Sequence, residues 1–421
     1  MSIRAATDAL VANFEERSVP AVTPRDLMLP GLPGKADAVI GMRRVGKTWL
    51  CWQRIAELLA QGIPRSQMLY VNFEDERLLP LEADALHEVS DAHYRRHPAS
   101  RQQPVHWFFD EIQNVPGWER YVRRLLDEQL GPIVVTGSSA KLLGREVATS
   151  LRGRSLASEL SPFSFAEYLR HHGVEQPARW PPSDRARAHL ENALGDYLQV
   201  GGFPEVQSLE PPLRVRVLQD YVDVVVFRDV VERHGVTNIE ALRYLVRRLL
   251  SAPAGRFTVH RLYNDLRSQG RRVSKDLLYA SLDHLEDAFL FVTITIDAES
   301  ERARASNPRK CYPIDPGLAR AHSFRADNTG HLLETLVLLA LRRWGYDARY
   351  LQVDDLEVDF VARHPTEPPR LVRVCADMTD QATRARELRA LSAGMKARGF
   401  DRAEVVTLTG AETLTVDAGT V

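Results

Sequence analysis

Residues 41–48 read Gly41-Met42-Arg43-Arg44-Val45-Gly46-Lys47-Thr48, a complete G-x-x-x-x-G-K-[ST] string. Such a string constrains the fold tightly, because its chemistry works only between a strand and a helix. The apolar run Ala38-Val39-Ile40 supplies the strand, and the pattern over residues 50–59 supplies the helix. Its glycines let backbone N–H groups close on phosphate oxygens, and the helix N-terminus adds its positive pole. Gly41, Arg43, Arg44, Val45, Gly46, Lys47, Thr48 and Trp49 are therefore the expected nucleotide cradle. Lys47 is placed to reach the β- and γ-phosphates, and Thr48 to offer its hydroxyl to Mg²⁺.

A second element completes the chemistry. Val105-His106-Trp107-Phe108-Phe109 is mostly apolar and ends in Asp110-Glu111. A parallel strand that stops at two acids presents both carboxylates at the carboxyl edge of its sheet, where phosphates bind. Asp110 is the expected Mg²⁺ ligand. Glu111 is the expected general base or orienting group for the attacking water. The chain is thus expected to use ATP and Mg²⁺ and to hydrolyse the former.

Strand signals at 68–73, 105–109 and 133–137 alternate with helical ones such as 121–130. That alternation predicts an α/β core with a parallel sheet and helices on both faces. Thr136-Gly137-Ser138-Ser139 ends the last of these strands. Two roles are open to Ser138: sensing the γ-phosphate, or capping a short helix over 141–143. In Leu151-Arg152-Gly153-Arg154, Arg154 or Arg152 is a candidate finger into a neighbouring subunit's nucleotide, with a plain surface arginine as the alternative.

At 421 residues the chain has room for two to four domains. We divide it into an ATPase core (1–165), a helical lid (166–240), a winged-helix-like module (241–325) and a small α/β domain (326–421). Gly201-Gly202-Phe203-Pro204 marks a turn within the lid. One long helix or a pair is expected over 213–234, carrying Arg228 and Arg233 as solvated residues or as lid contacts to the nucleotide. Helices at 242–250 and 259–266, a third starting at the Ser274 cap, and strands at 289–294 and 310–314 make the winged-helix pattern. Arg267, Arg271, Arg272 and Lys275 cluster near its turn, with Tyr279 beyond, as a candidate nucleic-acid face. Winged helices also dock proteins, so that alternative stands beside it. The final domain is read as a helix (331–344), three strands (348–351, 357–361, 371–375), a helix (383–397) and a strand (404–408).

The formal net charge of −1 gives no global attraction for nucleic acid, so such binding needs a local patch. Cys51, Cys311 and Cys375 are scattered and form no C-x-x-C, which argues for a reducing compartment and against structural zinc. His171-His172 is read as a surface pair. No apolar run approaches the roughly 18 residues of a membrane span, and the N-terminus lacks a signal-like segment. The expected location is the cytoplasm, with no membrane contact.

Taken together, the 41–48 string, Asn72-Phe73-Glu74-Asp75, Asp110-Glu111-Ile112-Gln113, Thr136-Gly137-Ser138-Ser139, Gly153-Arg154 and Gly201-Gly202-Phe203-Pro204 carry a resemblance. Nearly the whole chain resembles the prokaryotic AAA+-like P-loop ATPases fused to a C-terminal PD-(D/E)xK nuclease-like domain of uncharacterised function. The resemblance implies the roles derived above for Lys47, Thr48, Asp110 and Glu111, and a homo-oligomer whose sites are completed between subunits. It also implies a restriction-endonuclease-like fold for the last domain, with Glu334 and Asp359 at the family's acidic positions. The next strand departs from the pattern: Arg373-Val374-Cys375 stands where Glu-x-Lys belongs. A metal-dependent nuclease needs clustered carboxylates and a lysine, so arginine here implies a catalytically inactive domain kept for binding or assembly. Two functions follow. One is Mg²⁺-dependent ATP hydrolysis coupled to DNA binding or remodelling, branched DNA being among the candidates. The alternative is an ATP-controlled switch on protein partners in a stress, toxin–antitoxin or defence system, without DNA.

Overall fold

The structure is a computed structural model that describes residues 2–78, 80–82, 85–138, 151, 153–323, 328–410, 412–416 and 418–421. It divides into two units. The first holds Met1–Phe163, Arg170–Gly173 and Asp287–Phe289; the second holds Ser164–Leu169, Val174–Glu286 and Leu290–Val421.

The first unit is built on β1 (Ala36–Ile40), β2 (Met68–Asn72), β3 (His106–Asp110), β4 (Ile133–Gly137) and β5 (Ser155–Glu159). All five run parallel in the order β2-β3-β4-β1-β5. The strands β1 and β4 are buried along their whole length, which is why they read as continuous apolar runs. The edge strand β5 was not legible in the sequence: Ser155-Leu156-Ala157-Ser158-Glu159 is half exposed and correspondingly mixed. Segment 1–37 belongs to this unit. Its Ile3–Glu16 helix is capped by Ser2, whose hydroxyl accepts from Ala5 N at 3.3 Å. Phe14 at its end packs on Trp52 (6.0 Å between rings), which in turn packs on Tyr70 (5.0 Å).

The second unit begins with helices, including Asp184–Val200 and Pro211–Val224. The Pro211–Val224 helix continues without a break into a π-helical stretch, Val225–Glu232, so the segment expected over 213–234 is one helix. Helices Ile239–Leu250, Val259–Ser268 and Lys275–Asp287 follow. Ser274 caps the last of them, accepting from Leu277 N at 3.1 Å. Strands β6 (Arg256–Phe257), β7 (Phe291–Ile294) and β8 (Arg309–Pro313) form an antiparallel sheet ordered β6-β8-β7. Next come the Thr329–Arg343 helix, β9 (Asp347–Val353), β10 (Leu356–Arg363), β11 (Arg370–Val374), the Gln381–Arg398 helix and β12 (Glu404–Val406). Their sheet runs β12-β11-β10-β9, with β10 antiparallel to both neighbours and β12 parallel to β11.

The stretches expected as separate domains after residue 165 share a core inside this unit. Tyr168, Tyr197 and Leu198 are buried in one cluster with Ala319, Leu332 and Leu336. The Gly201-Gly202 turn has a packing reason. Gly201 sits at φ +77°, and a Cβ there would lie 2.0 Å from Asp315 Oδ1. Gly202 N donates to Asp315 Oδ2 at 2.6 Å and Gly317 N to Oδ1 at 2.8 Å, so Asp315 ties this turn to the helix it caps, Pro316–His322. Among the described residues no helix is long and apolar enough to cross a membrane.

Candidate active site

The sheet register sets Ile40 beside Gly137 and Asn72 beside Asp110, so the carboxyl ends of β1 to β4 lie along one edge. The loop leaving β1 places Gly41 at φ +151°, Arg44 at +69° and Gly46 at +101°. A Cβ at Gly41 would lie 2.2 Å from Leu160 O, so only glycine fits there. Alternating left-handed residues turn successive N–H groups into a concave anion nest. The Lys47–Ala60 helix starts directly from it.

Lys47 is buried, with Nζ 3.2 Å from both Gly41 O and Met42 O and 3.4 Å from Glu111 Oε1. Thr48 Oγ1 donates to Asp110 Oδ2 at 2.7 Å, and Tyr70 OH donates to the same oxygen at 2.7 Å. Thr136 Oγ1 donates to Asp110 Oδ1 and accepts from Glu111 N at 2.9 Å. Burial pushes the Asp110 carboxyl above its ordinary range; donation from Thr136, Thr48 and Tyr70 opposes that rise, and neighbouring Glu111 adds to it. Glu111 stands at φ +51°, and Gln113 Nε2 donates to its Oε2. Cys51 beneath the loop is fully buried, which pushes its thiol up and leaves it an inert core residue.

The donor set fits a nucleotide with its metal. A threonine hydroxyl and an aspartate oxygen 2.7 Å apart are the hard oxygen ligands Mg²⁺ takes, and the buried ammonium beside them suits phosphate oxygens. Arg43 extends to Glu74 (3.4 Å), which brings the 72–75 motif to the loop. Trp49 is half exposed on the first helical turn.

Other expected residues fall differently. Ser138 is buried one position past β4, and Thr136, two residues earlier, is the one that touches Asp110. Arg154 lies at the amino end of β5, where its O accepts from Ala36 N (2.9 Å) and its guanidinium pairs with Asp127. The five residues of β1 span about 16 Å at roughly 3.3 Å each, so Arg154 sits on the edge opposite its own phosphate loop. Arg152, Ser139 and the 141–143 helix lie outside the described residues. Arg228 pairs with Glu232 at 2.9 Å. His171 and His172 are exposed.

Sequence reasoning missed Tyr70, Gln113, Thr136 and Arg25. Arg25 is 8% exposed; its guanidinium donates to Val45 O (2.8 Å) and Ser161 O (2.5 Å) and lies over the Phe163 ring. It props the phosphate loop from below, and nothing local marks an arginine 20 residues upstream for that role. Thr136 does carry a signal, since it shares a strand face with Ser138 at period two.

In the second unit Glu334, Glu357 and Asp359 converge, and a residue not foreseen fills the centre. Lys310 Nζ, brought by β8, lies 2.6 Å from Glu334 Oε1, 2.7 Å from Glu357 Oε1 and 3.1 Å from Asp359 Oδ1. Tyr312 OH donates to Glu334 Oε1 at 2.7 Å. Arg373 donates to Asp359 Oδ1 at 2.8 Å and also to Glu387. Burial works against the Lys310 charge, but Glu334, Asp359 and Glu357 outweigh it and hold the ammonium above its ordinary range. Burial and the nearby Asp359 push Glu334 up, against the pull of Lys310.

The basic residues near the helical turn do not make one open face. Arg267 and Lys275 both lie over Tyr263 (5.7 and 5.4 Å), while Arg271 lies over Tyr244 (5.4 Å) and pairs with Glu240 (3.3 Å). Arg272 contributes its carbonyl to Asn238 Nδ2 at 2.9 Å.

Residues 34–169 match an AAA domain, and residues 191–329 match a domain of unknown function. An uncharacterized protein of Methanocaldococcus jannaschii is 32% identical over 419 residues, covering 97% of this chain and 91% of the relative. An uncharacterized protein of Haemophilus influenzae is 30% identical over 332 residues, covering 78% and 80%. Among solved structures, a Walker-type ATPase of Pyrococcus abyssi is 15% identical with a TM-score of 0.42, covering 68% of this chain and 90% of that one.

Proposed function

This chain belongs to the family of those Methanocaldococcus jannaschii and Haemophilus influenzae proteins and carries an AAA domain, and we propose that it is an Mg²⁺-dependent ATPase coupled to DNA binding or remodelling. The observation that carries the proposal is the convergence of Lys47, Thr48, Asp110 and Glu111 at one sheet edge. Thr48 and Asp110 would hold Mg²⁺, which when bound neutralises phosphate charge. The loop N–H groups and Lys47 hold the β- and γ-phosphates. Once Lys47 turns from Gly41 O, Met42 O and Glu111 to phosphate oxygen, Glu111 Oε1 is released to take a proton from the attacking water. Water adds to the γ-phosphorus in line as the bond to the bridging oxygen breaks, leaving ADP and phosphate. Thr136, through the Glu111 N–H, and Gln113, through Oε2, keep that carboxylate aimed. Arg154, on the opposite edge, suits a finger for a neighbouring subunit rather than for its own site.

Three helices, with β6 between the first two and β7 and β8 after the third, support a winged-helix module, and its basic residues support DNA contact. Among the acids of the last domain, Lys310 from β8 and the domain's own Arg373 supply positive charge where a catalytic metal would bind. That supports a nuclease-like unit without nuclease activity, used for binding or assembly. The second reading, an ATP-controlled switch on a protein partner, draws support from Arg271, which is turned back onto Glu240 and Tyr244.

The test is ATP turnover at fixed salt with no DNA and with single-stranded, duplex or four-way-junction DNA, for wild type and Glu111→Gln. Stimulation by one form supports the DNA-coupled enzyme. Equal turnover with every form points to the switch. Wild-type turnover in Glu111→Gln refutes the general-base assignment.

A further inference from the structure

A second concentration of positive charge in the second unit lies beside the helical turn. A cleft of about 520 Å³ is lined by Gln219, Tyr244, Arg247, Arg248, Ser251 and His322, together with Ala321. No carboxylate is among its described lining residues. Arg248 also lines a neighbouring notch with Arg256, Thr258 and Arg261, where one carboxylate, Asp265, is present. Arg247, Arg248 and Arg261 are exposed and have no ion-pair partner among the described residues, whereas Arg256 is paired with Glu357. In a chain of net charge −1, two arginines left unpaired on one cleft without a carboxylate among its described lining residues form a local anion-attracting field.

The cleft is continuous with the expected basic turn through Tyr244. That residue lines the cleft, carries Arg271 over its ring at 5.4 Å and accepts from Gln269 Nε2 at 3.4 Å. Beyond it Tyr263 carries Arg267 and Lys275. Cations and aromatic rings are therefore paired both at the cleft and at the turn. Grooves for single-stranded nucleic acid combine these two elements: positive charge for the phosphates and rings on which bases stack. A duplex offers only base edges in its grooves, so stacking of a base on a side-chain ring needs unpaired nucleotides. An acidic peptide would satisfy the arginines but would leave the Tyr244 ring in the cleft without a role.

We propose that this cleft is the entry of a groove for single-stranded nucleic acid, with phosphates on Arg247 and Arg248 and bases against Tyr244. The proposal rests on the DNA-coupled reading for its class of partner. The experiment is fluorescence anisotropy of a labelled mixed-sequence single strand with the full-length protein over a range of salt, with ATP turnover measured in the same samples. In Arg247→Gln/Arg248→Gln, affinity should fall at least about tenfold. The slope of log affinity against log salt should shrink by about 1.4, two contacts at about 0.7 each. Tyr244→Leu should weaken binding and leave the salt slope unchanged, because it removes stacking and no charge. DNA-independent turnover should be unchanged in both variants, which reports that they fold.

Retained affinity and slope in the double variant, with both lost in Arg267→Gln/Lys275→Gln, would place the contact on the turn and overturn the groove. So would tighter binding of duplex through the same two arginines, or capture of a polyglutamate peptide but no strand. The reading beneath it fails separately. Binding through Arg247 and Arg248 with turnover indifferent to DNA upholds the groove and removes the coupling. DNA-stimulated turnover in the double variant equal to wild type upholds the coupling and removes the groove.

Discussion

Lys310→Met keeps most of the side chain's length and removes its charge from among three carboxylates. In the native unit Nζ stands 2.6, 2.7 and 3.1 Å from Glu334, Glu357 and Asp359. Arg373 still compensates Asp359 in the variant, and Arg256 still compensates Glu357. Glu334 keeps only the Tyr312 hydroxyl, and it is the buried acid left without a cation. Removing one partner of a buried ion pair costs about 3–5 kcal/mol. At about 2–4 °C per kcal/mol for a unit of this size, the thermal transition of the second unit should fall by about 6–20 °C. The loss should also depend on pH. Burial and Asp359 already push Glu334 up against the pull of Lys310, and without Lys310 it rises further. A carboxyl whose folded value is raised favours folding below its unfolded value and loses that advantage as pH climbs through the folded value. The deficit should therefore be small near about pH 5 and large by about pH 8. Scanning calorimetry of wild type, Lys310→Met and Lys310→Met/Glu334→Gln at both pH values tests this, the double variant regaining most of the stability at pH 8. Equal loss at the two pH values would show that packing, not charge, sets the cost. No loss at all would refute the claim that Lys310 neutralises these acids.

Three further outcomes are expected. Thr136→Val should cut kcat about 10–100-fold with ATP affinity little changed, because it loosens the two acids without touching the phosphate loop; equal change in KM and kcat would contradict that. Arg154→Ala should bind ATP and turn over slowly, and mixing it with Glu111→Gln should restore part of the activity; no recovery would count against a finger acting between subunits. Gly201→Ala should destabilise the second unit by about 2–4 kcal/mol, seen as a lowered calorimetric midpoint, since a Cβ at φ +77° meets Asp315 at 2.0 Å; a wild-type midpoint would argue against the clamp.

The local elements of the candidate site were legible because motif and context are contiguous. The 41–48 string follows an apolar strand and opens a helix, and each step leaves its mark in spacing and glycine placement. Ser274 as a cap, and the helices at 259–268 and 381–398, were legible for the same reason. Strand β5 was not, because a half-exposed edge strand lacks the continuous apolar run of its buried neighbours. Nor was Lys310 in its cluster: it comes from β8, 24 residues before Glu334 and 49 before Asp359.

The chain's sequence by itself determined the glycine-rich loop between strand and helix, the two acids ending a buried strand and the strand–helix alternation. These are properties of neighbouring residues, written in periodicity, backbone freedom and composition. Tertiary structure alone decided that Thr136 and Tyr70 serve Asp110, that Arg154 faces away from its own loop, that Arg271 is turned back and that Lys310 satisfies three acids. Each of those depends on strand order and register or on helix packing, which bring residues from separate segments within bonding distance. A buried charge must find its partner there, because a low-dielectric interior leaves no water to supply one.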